Sequence, residues 1–191
     1  MINKKAFAEL REQLEQFDSE REQIIKQSRD VLKLSKAAIY SLHRNEQATA
    51  EQQLANAKKA ITAINKLVTK DVHHATTGPY LEALEEYTEA ACYYWFVTKR
   101  KLPTHDDLGV DADTYLGGMC DLVGELVRKA VNSIINNDPK TALEIRDVVA
   151  ELYEELMLFD FRNGPIRRKY DAIKYGLEKL EDLALQLKLK K

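Results

Sequence analysis

Glu82, Glu85, Glu86 and Glu89 recur at i, i+3, i+4 and i+7, the spacing that lines side chains along one face of an α-helix. Tyr93 and Phe96 continue that face. In a later segment Asp121 and Glu125 stand one turn apart, on a line shared with Arg128 and Asn132. Carboxylates gathered from two helices repel one another unless a proton or a cation stands between them, and an all-oxygen donor set selects Mg²⁺, Mn²⁺ or Ca²⁺ over softer metals. A hard divalent ion in such a site typically handles phosphates, because it neutralises their oxygens and generates a hydroxide-like nucleophile. The chemistry indicated is phosphodiester hydrolysis with Mg²⁺, or Mn²⁺, as cofactor.

An acidic stripe is also the ordinary make-up of a solvated helix face. The glycines beside the second stripe argue for something closer. Gly117, Gly118 and Gly124 interrupt a helical segment, each costing up to ~1 kcal/mol against Ala, and on the helical wheel they flank Asp121 and Glu125. A neighbouring helix or a substrate approaching that face is the expected reason. A di-iron bundle would need Glu-x-x-His pairs, and no histidine has a glutamate three residues before it. Neither a Ser-His-Asp order, a Gly-rich phosphate loop nor an RNP signature is present. A polyanionic substrate would have to be held by local clusters: Lys99, Arg100 and Lys101, then Arg162, Arg167, Arg168 and Lys169, and the C-terminal lysines. His73 and His74 precede a loop with no evident partner.

Long helices must position these residues. A stripe of Phe7, Leu10, Leu14, Phe17, Ile24, Val31, Ala38 and Leu42, interrupted by Arg21, Ser28 and Ser35, predicts one helix from about Asn3 to His43. Leu54, Ala57, Ile61, Ile64 and Val68 predict a second over Glu46 to Lys70. Pro79 suits the first turn of a third, Tyr80 to Thr98. A connector with one capped turn at Thr104 follows, then a helix from Asp113 to Asn136. Ile145 to Phe159 and Ile166 to Leu187 mark the last two. With no alternating strand pattern, the fold class is all-α: a bundle of six long helices plus a short connecting one, in a single domain over residues 1–191. Apolar stripes this long exceed what one compact bundle buries, so some are expected to close between subunits.

Composition agrees. The chain has 191 residues, 45% hydrophobic and 31% charged, with only 7 glycines and 4 prolines, which disfavours disordered and turn-rich β classes. A net charge of −2 excludes nucleic-acid binding by bulk charge. No window approaches the ~20 apolar residues of a membrane span. Cys92 and Cys120 lack metal or disulfide spacing, and a reducing, cytoplasmic setting is expected.

Several blocks resemble the translin/TRAX family: IIKQSRDVLKLSKAAIYSLHR at 24–44, EYTEA at 86–90, YLGGMCDLVGELVRKAVNS at 115–133 and IRRKYDAIKYGLEKLEDLALQL at 166–187. They occur in the family's order across nearly the whole chain. The resemblance implies an all-helical subunit of a hollow, roughly octameric shell that takes single-stranded RNA or DNA inside. It also implies Mg²⁺-dependent endoribonuclease activity, the family's E-x-x-E motif matching Glu86 and Glu89 and its D-x-x-x-E motif Asp121 and Glu125. Its basic segment matches Arg167, Arg168 and Lys169, and its histidine-bearing segment, with a one-residue insertion, His73 and His74. The alternative is a non-catalytic single-stranded nucleic-acid binder of the translin type, in which the carboxylates are structural. Glu82 and Glu85 have no counterpart in the motifs.

Overall fold

The computed structural model describes residues 2–189; Lys190 and Lys191 of the basic C-terminus lie outside it. Among the described residues there is no strand. The helices are α1 (Lys4–His43), α2 (Gln47–Val68), α3 (Gly78–Lys99), α4 (His105–Leu108), α5 (Ala112–Ile135), α6 (Pro139–Leu156) and α7 (Pro165–Leu189), with a 3-10 turn at Val72–Thr76 between α2 and α3. This is the expected set of six long helices and one short one. None is long and apolar enough to cross a membrane among the described residues.

Side chains that satisfy the first free N–H groups set the helix starts. Asn3 accepts from the backbone N–H groups of Lys5 and Ala6, Asp111 from that of Thr114, and Asp138 from that of Thr141 ahead of Pro139. Thr104 and Asp107 form a reciprocal capping box around α4. The residues that interrupt the α1 stripe separate into two kinds. Ser28 and Ser35 are buried with Ile24, Val31, Ala38 and Leu42, small side chains that let α2 and α3 pack close. Arg21 is exposed.

The order of packing matters for the site. α1 packs on α2 and α3, α3 on α5, and α5 on α6 and α7, so α3 and α5 form the centre of the bundle. Tyr93, Leu122, Leu126 and Ile145 are among the largest fully buried side chains there. The amino-terminal part of α1 runs beyond this core: its first buried residue is Ile24, and Phe7, Leu10 and Leu14 are 54%, 52% and 64% exposed.

Helix ends fall within a residue or two of expectation except in α6, which begins at Pro139, ahead of Ile145, and ends early. α6 stops at Leu156 and leaves Phe159 outside it, half-exposed. Phe159 stacks on Phe161 at 5.5 Å, Phe161 leans on Tyr170 at 5.3 Å, and Tyr170 stacks on Tyr153 at 5.6 Å. An aromatic ladder joining α6 to α7, not helix periodicity, therefore explains this apolar position.

Candidate functional site

Side chains of four helices converge on the α3–α5 contact. Glu85, Glu86 and Glu89 come from α3, Asp121 and Glu125 from α5, Lys36 and His43 from α1, and Lys169 from α7. Two glycines set how closely the central pair meets. A Cβ at Gly117 would stand 2.7 Å from Glu85 Oε1; one at Gly118 would stand 2.7 Å from the Thr88 side chain and 2.9 Å from the Glu85 carbonyl oxygen. At Gly118 no side chain fits, so the expected close approach is a helix–helix contact there, whereas at Gly117 the space is taken by the flexible end of the Glu85 side chain. Gly124 differs. A Cβ there would meet nothing within 4 Å, and it lines an open groove of about 580 Å³ with Asp121, Arg168, Lys169 and Gly176.

Each accessible carboxylate faces a cation or a donor from another helix or a neighbouring turn. Lys169 Nζ donates to Glu85 Oε2 at 2.8 Å and to Asp121 Oδ2 at 2.6 Å. His43 Nε2 stands against Glu125 Oε2, and the Tyr93 hydroxyl lies 3.2 Å from His43 Nδ1. This chain fits the Nε2–H tautomer of His43, in which Tyr93 O–H donates to Nδ1 and Nε2–H donates to Glu125. Lys36 Nζ is 3.8 Å from Glu86, and Arg128, stacked over Tyr40, is 3.9 Å from Glu125.

Glu89 sits deepest, at 8% exposure. Burial, reinforced by the charges of Glu86, Asp121 and Glu125 and opposed by Lys169, pushes its carboxyl up to about 8. Burial also raises Glu86; Lys36 opposes the shift, while Asp121, Glu82 and Glu125 add to it. Burial alone would lower the Lys169 ammonium, but its hydrogen bonds to Asp121 and Glu85 hold it above its ordinary value. The cluster is thus overcharged with carboxylate for its depth, the condition in which a bound cation is most favourable. Among the described residues no three His, Cys, Asp or Glu side chains form a ready-made metal cage. The pairings give the reason: Asp121 is turned toward Lys169 and Glu125 toward His43. The donor chemistry, four oxygen-bearing side chains at Glu86, Glu89, Asp121 and Glu125, suits a hard divalent ion.

The structure brings Glu86, Glu89, Asp121 and Glu125 together as one cluster and adds Lys169 to it. Arg168 is exposed on the neighbouring groove, and Arg167, over the Tyr170 ring, pairs with Asp171 at 2.9 Å. His73 and His74 are packed elsewhere. His74 is fully buried, stacked on Phe17 at 4.5 Å with Nε2 3.2 Å from Glu20 Oε2, so it does have a partner, one on α1. His73 is exposed and lines a groove of about 730 Å³ with Leu10, Leu14 and Phe17. Glu82 is exposed. Cys92 and Cys120 are buried free thiols, which burial pushes up to about 12.

The Translin family model matches residues 19–191. The chain belongs to the translin family. Translin-associated protein X of Rattus norvegicus is 26% identical over 232 residues, covering 97% of this chain and 78% of that protein. Translin of Gallus gallus is 33% identical over 81 residues, or 42% of this chain and 35% of that one. Among solved structures, AfC3PO superposes with a TM-score of 0.88 at 26% identity, covering 97% of this chain and 98% of that one. Apo-NeC3PO gives 0.87 at 25%, over 94% and 96%. A complex of AfC3PO with duplex RNA gives 0.85 at 25%, over 97% and 98%. The translin-family match includes α3, α5 and α7 whole and leaves the first turns of α1 outside it.

Sequence reasoning missed His43, Lys36 and Tyr93 as parts of the site and left Glu85 without a role. A signal existed for each: Tyr93 continues the face of the α3 acidic stripe. Lys36, Tyr40 and His43 follow at i, i+4 and i+7, a polar and aromatic line beside the buried α1 stripe.

Proposed function

We propose that this chain is a Mg²⁺-dependent endoribonuclease, or Mn²⁺-dependent, that cleaves single-stranded RNA inside a homo-oligomeric shell. The observation that supports it most is the overcharged carboxylate cluster, in which Glu89 is driven up to about 8 by burial and by three like-charged neighbours. Strongly perturbed titratable groups with specific charged partners at an accessible contact are where functional sites are sought. Glu86, Glu89, Asp121 and Glu125 would hold the ion. When bound, it would polarise the phosphate and lower the pKa of water.

The chain's own residues supply the rest. His43, fixed from behind by Tyr93, holds the orientation of Glu125. Arg128, 3.9 Å from Glu125, offers a guanidinium beside the cluster for a phosphate oxygen. Arg168 on the adjoining groove, with Arg167 one residue before it, extends that positive line along the path of a phosphodiester backbone. Neither His73 nor His74 has a place in this chemistry: His74 is fully buried against Phe17 and Glu20 and cannot meet a nucleic acid, and only His73 is exposed.

Self-association is supported by the exposed apolar row of Phe7, Leu10 and Leu14 on the overhanging part of α1, and the number eight comes from the family resemblance. The free buried thiols accord with a cytoplasmic setting. The AfC3PO complex holds duplex RNA, while the single-strand preference, extended to single-stranded DNA as a ligand, comes from the family resemblance. Labelled single-stranded and duplex RNA incubated with the pure protein, with Mg²⁺ and with EDTA, tests the proposal. Metal-dependent cleavage of the single strand is expected. Tight binding without cleavage at any metal concentration would replace it with the non-catalytic binder.

A further inference from the structure

Lys169 does not point along the basic line of its neighbours. Its side chain, 26% exposed, turns inward and places one ammonium between two carboxylates on different helices, 2.8 Å from Glu85 Oε2 and 2.6 Å from Asp121 Oδ2. The seat is built. Glu85 Oε1 occupies the space that a Cβ at Gly117 would need, so the glycine lets Glu85 lie across α5 and present its other oxygen to Lys169. Glu85, which no metal motif claims, thereby acquires a function: it anchors the lysine beside Asp121.

An ammonium on Asp121 Oδ2 neutralises the charge that a divalent ion would find there, and two cations within about 4 Å repel one another at the effective dielectric of a half-buried site, so the two compete for Asp121. Resting on the nuclease reading above, we propose that Lys169 is a tethered counter-ion that occupies Asp121 until a divalent cation displaces it, and that the displaced ammonium then takes an RNA phosphate beside Arg168. Two consequences follow. The lysine stabilises the carboxylate cluster in the metal-free protein. It also couples the two ligands: a phosphate that draws Lys169 away frees Asp121 for metal, and by linkage the metal strengthens the phosphate contact by the same factor. The metal is then held tightly only when substrate is present.

The test is Mn²⁺ binding to the metal-free, full-length protein, read by electron paramagnetic resonance of the free ion, with and without a 2′-O-methyl oligonucleotide that cannot be cleaved. In the wild type the oligonucleotide should tighten Mn²⁺ binding several-fold. Lys169→Met should bind Mn²⁺ about tenfold tighter without oligonucleotide, the change expected from releasing one charge-assisted hydrogen bond, and should lose most of the oligonucleotide effect. Lys169→Gln repeats the measurement should Met at this half-buried position fail to fold. Mn²⁺ affinity unchanged or weaker in the variant, or coupling as strong as in the wild type, overturns the counter-ion role. If the wild type cleaves RNA with metal and yet the variant behaves in that way, the inference alone falls; if neither protein binds Mn²⁺ at all, the nuclease reading falls with it.

Discussion

Replacing Glu89 with Gln should make the metal-free protein more stable and inactive at once. In the fold Glu89 keeps its proton up to about 8, against an ordinary value of 4.5. Between those values the folded chain binds more protons than the unfolded chain, so stability falls as pH rises. The contribution is intact below about 4.5, declines by at most about 1.4 kcal/mol per pH unit, and is fully lost above about 8. The coupled Glu86 shares part of this, so the loss near pH 7.5 is on the order of 2 to 4 kcal/mol. Gln has nearly the same shape and no charge. In EDTA, urea unfolding followed by circular dichroism at about pH 6 and about pH 7.5 should show the wild type losing about 2 kcal/mol over that interval, and Glu89→Gln losing far less. Saturating Mg²⁺ should restore the wild type and leave the variant unmoved, because only a ligand that prefers the folded state stabilises it. Parallel pH slopes in the two proteins would refute the reasoning, since Glu89 would then be neither strained nor titrating in this range.

Glu125→Gln should abolish cleavage while stability stays within about 1 kcal/mol, because the Gln carbonyl still accepts from His43; full activity at limiting Mg²⁺ would remove Glu125 from the site. Arg167→Glu combined with Arg168→Glu should weaken single-strand binding and flatten its salt dependence in filter-binding titrations, as fewer counterions are released. Light scattering should give a mass several times 21.9 kDa, and a monomer at micromolar concentration would dismiss the shell. Gly118→Ala should destabilise by about 1 to 3 kcal/mol through its clash with Thr88 and the Glu85 carbonyl, whereas Gly124→Ala, with open space around it, should gain up to about 1 kcal/mol; equal thermal shifts would contradict the packing described.

The helices and the four motif carboxylates were legible in the sequence because both are local patterns: a period of 3.6 residues and pairs one turn apart. Gly117 and Gly118 were legible as a close approach for the same reason, since an unexplained glycine in a helix signals a neighbour. Gly124 carries the same signal but answers to the open groove. What local pattern does not carry is which residue of a distant helix arrives at the cluster. His43 reaches Glu125 across 82 positions and Lys169 reaches Glu85 across 84. Lys169 was grouped with Arg167 and Arg168 on sequence adjacency, yet successive residues of a helix point about 100° apart, and the third of the trio turns inward. His74 shows the converse: matched to the family's histidine-bearing segment, it is buried and held by Phe17 and Glu20 of α1 instead.

A single principle connects these placements. A cluster of carboxylates at the centre of a bundle is stable only if its charge is met, and α1, α5 and α7 each meet part of it. α1 supplies Lys36 and His43, the latter backed by Tyr93 of α3, α5 itself supplies Arg128, and α7 supplies Lys169. Glu89, buried beyond easy reach of all of them, keeps a proton instead. A purely structural cluster would gain by exchanging such carboxylates for apolar residues of similar size, as buried ion pairs often do. Five acidic side chains together with Gly117 and Gly118 at one contact, with Glu89 raised among them, are the arrangement that a site exchanging its internal cations for a bound one would need. Stability given up where a ligand is to bind is the ordinary mark of a functional site.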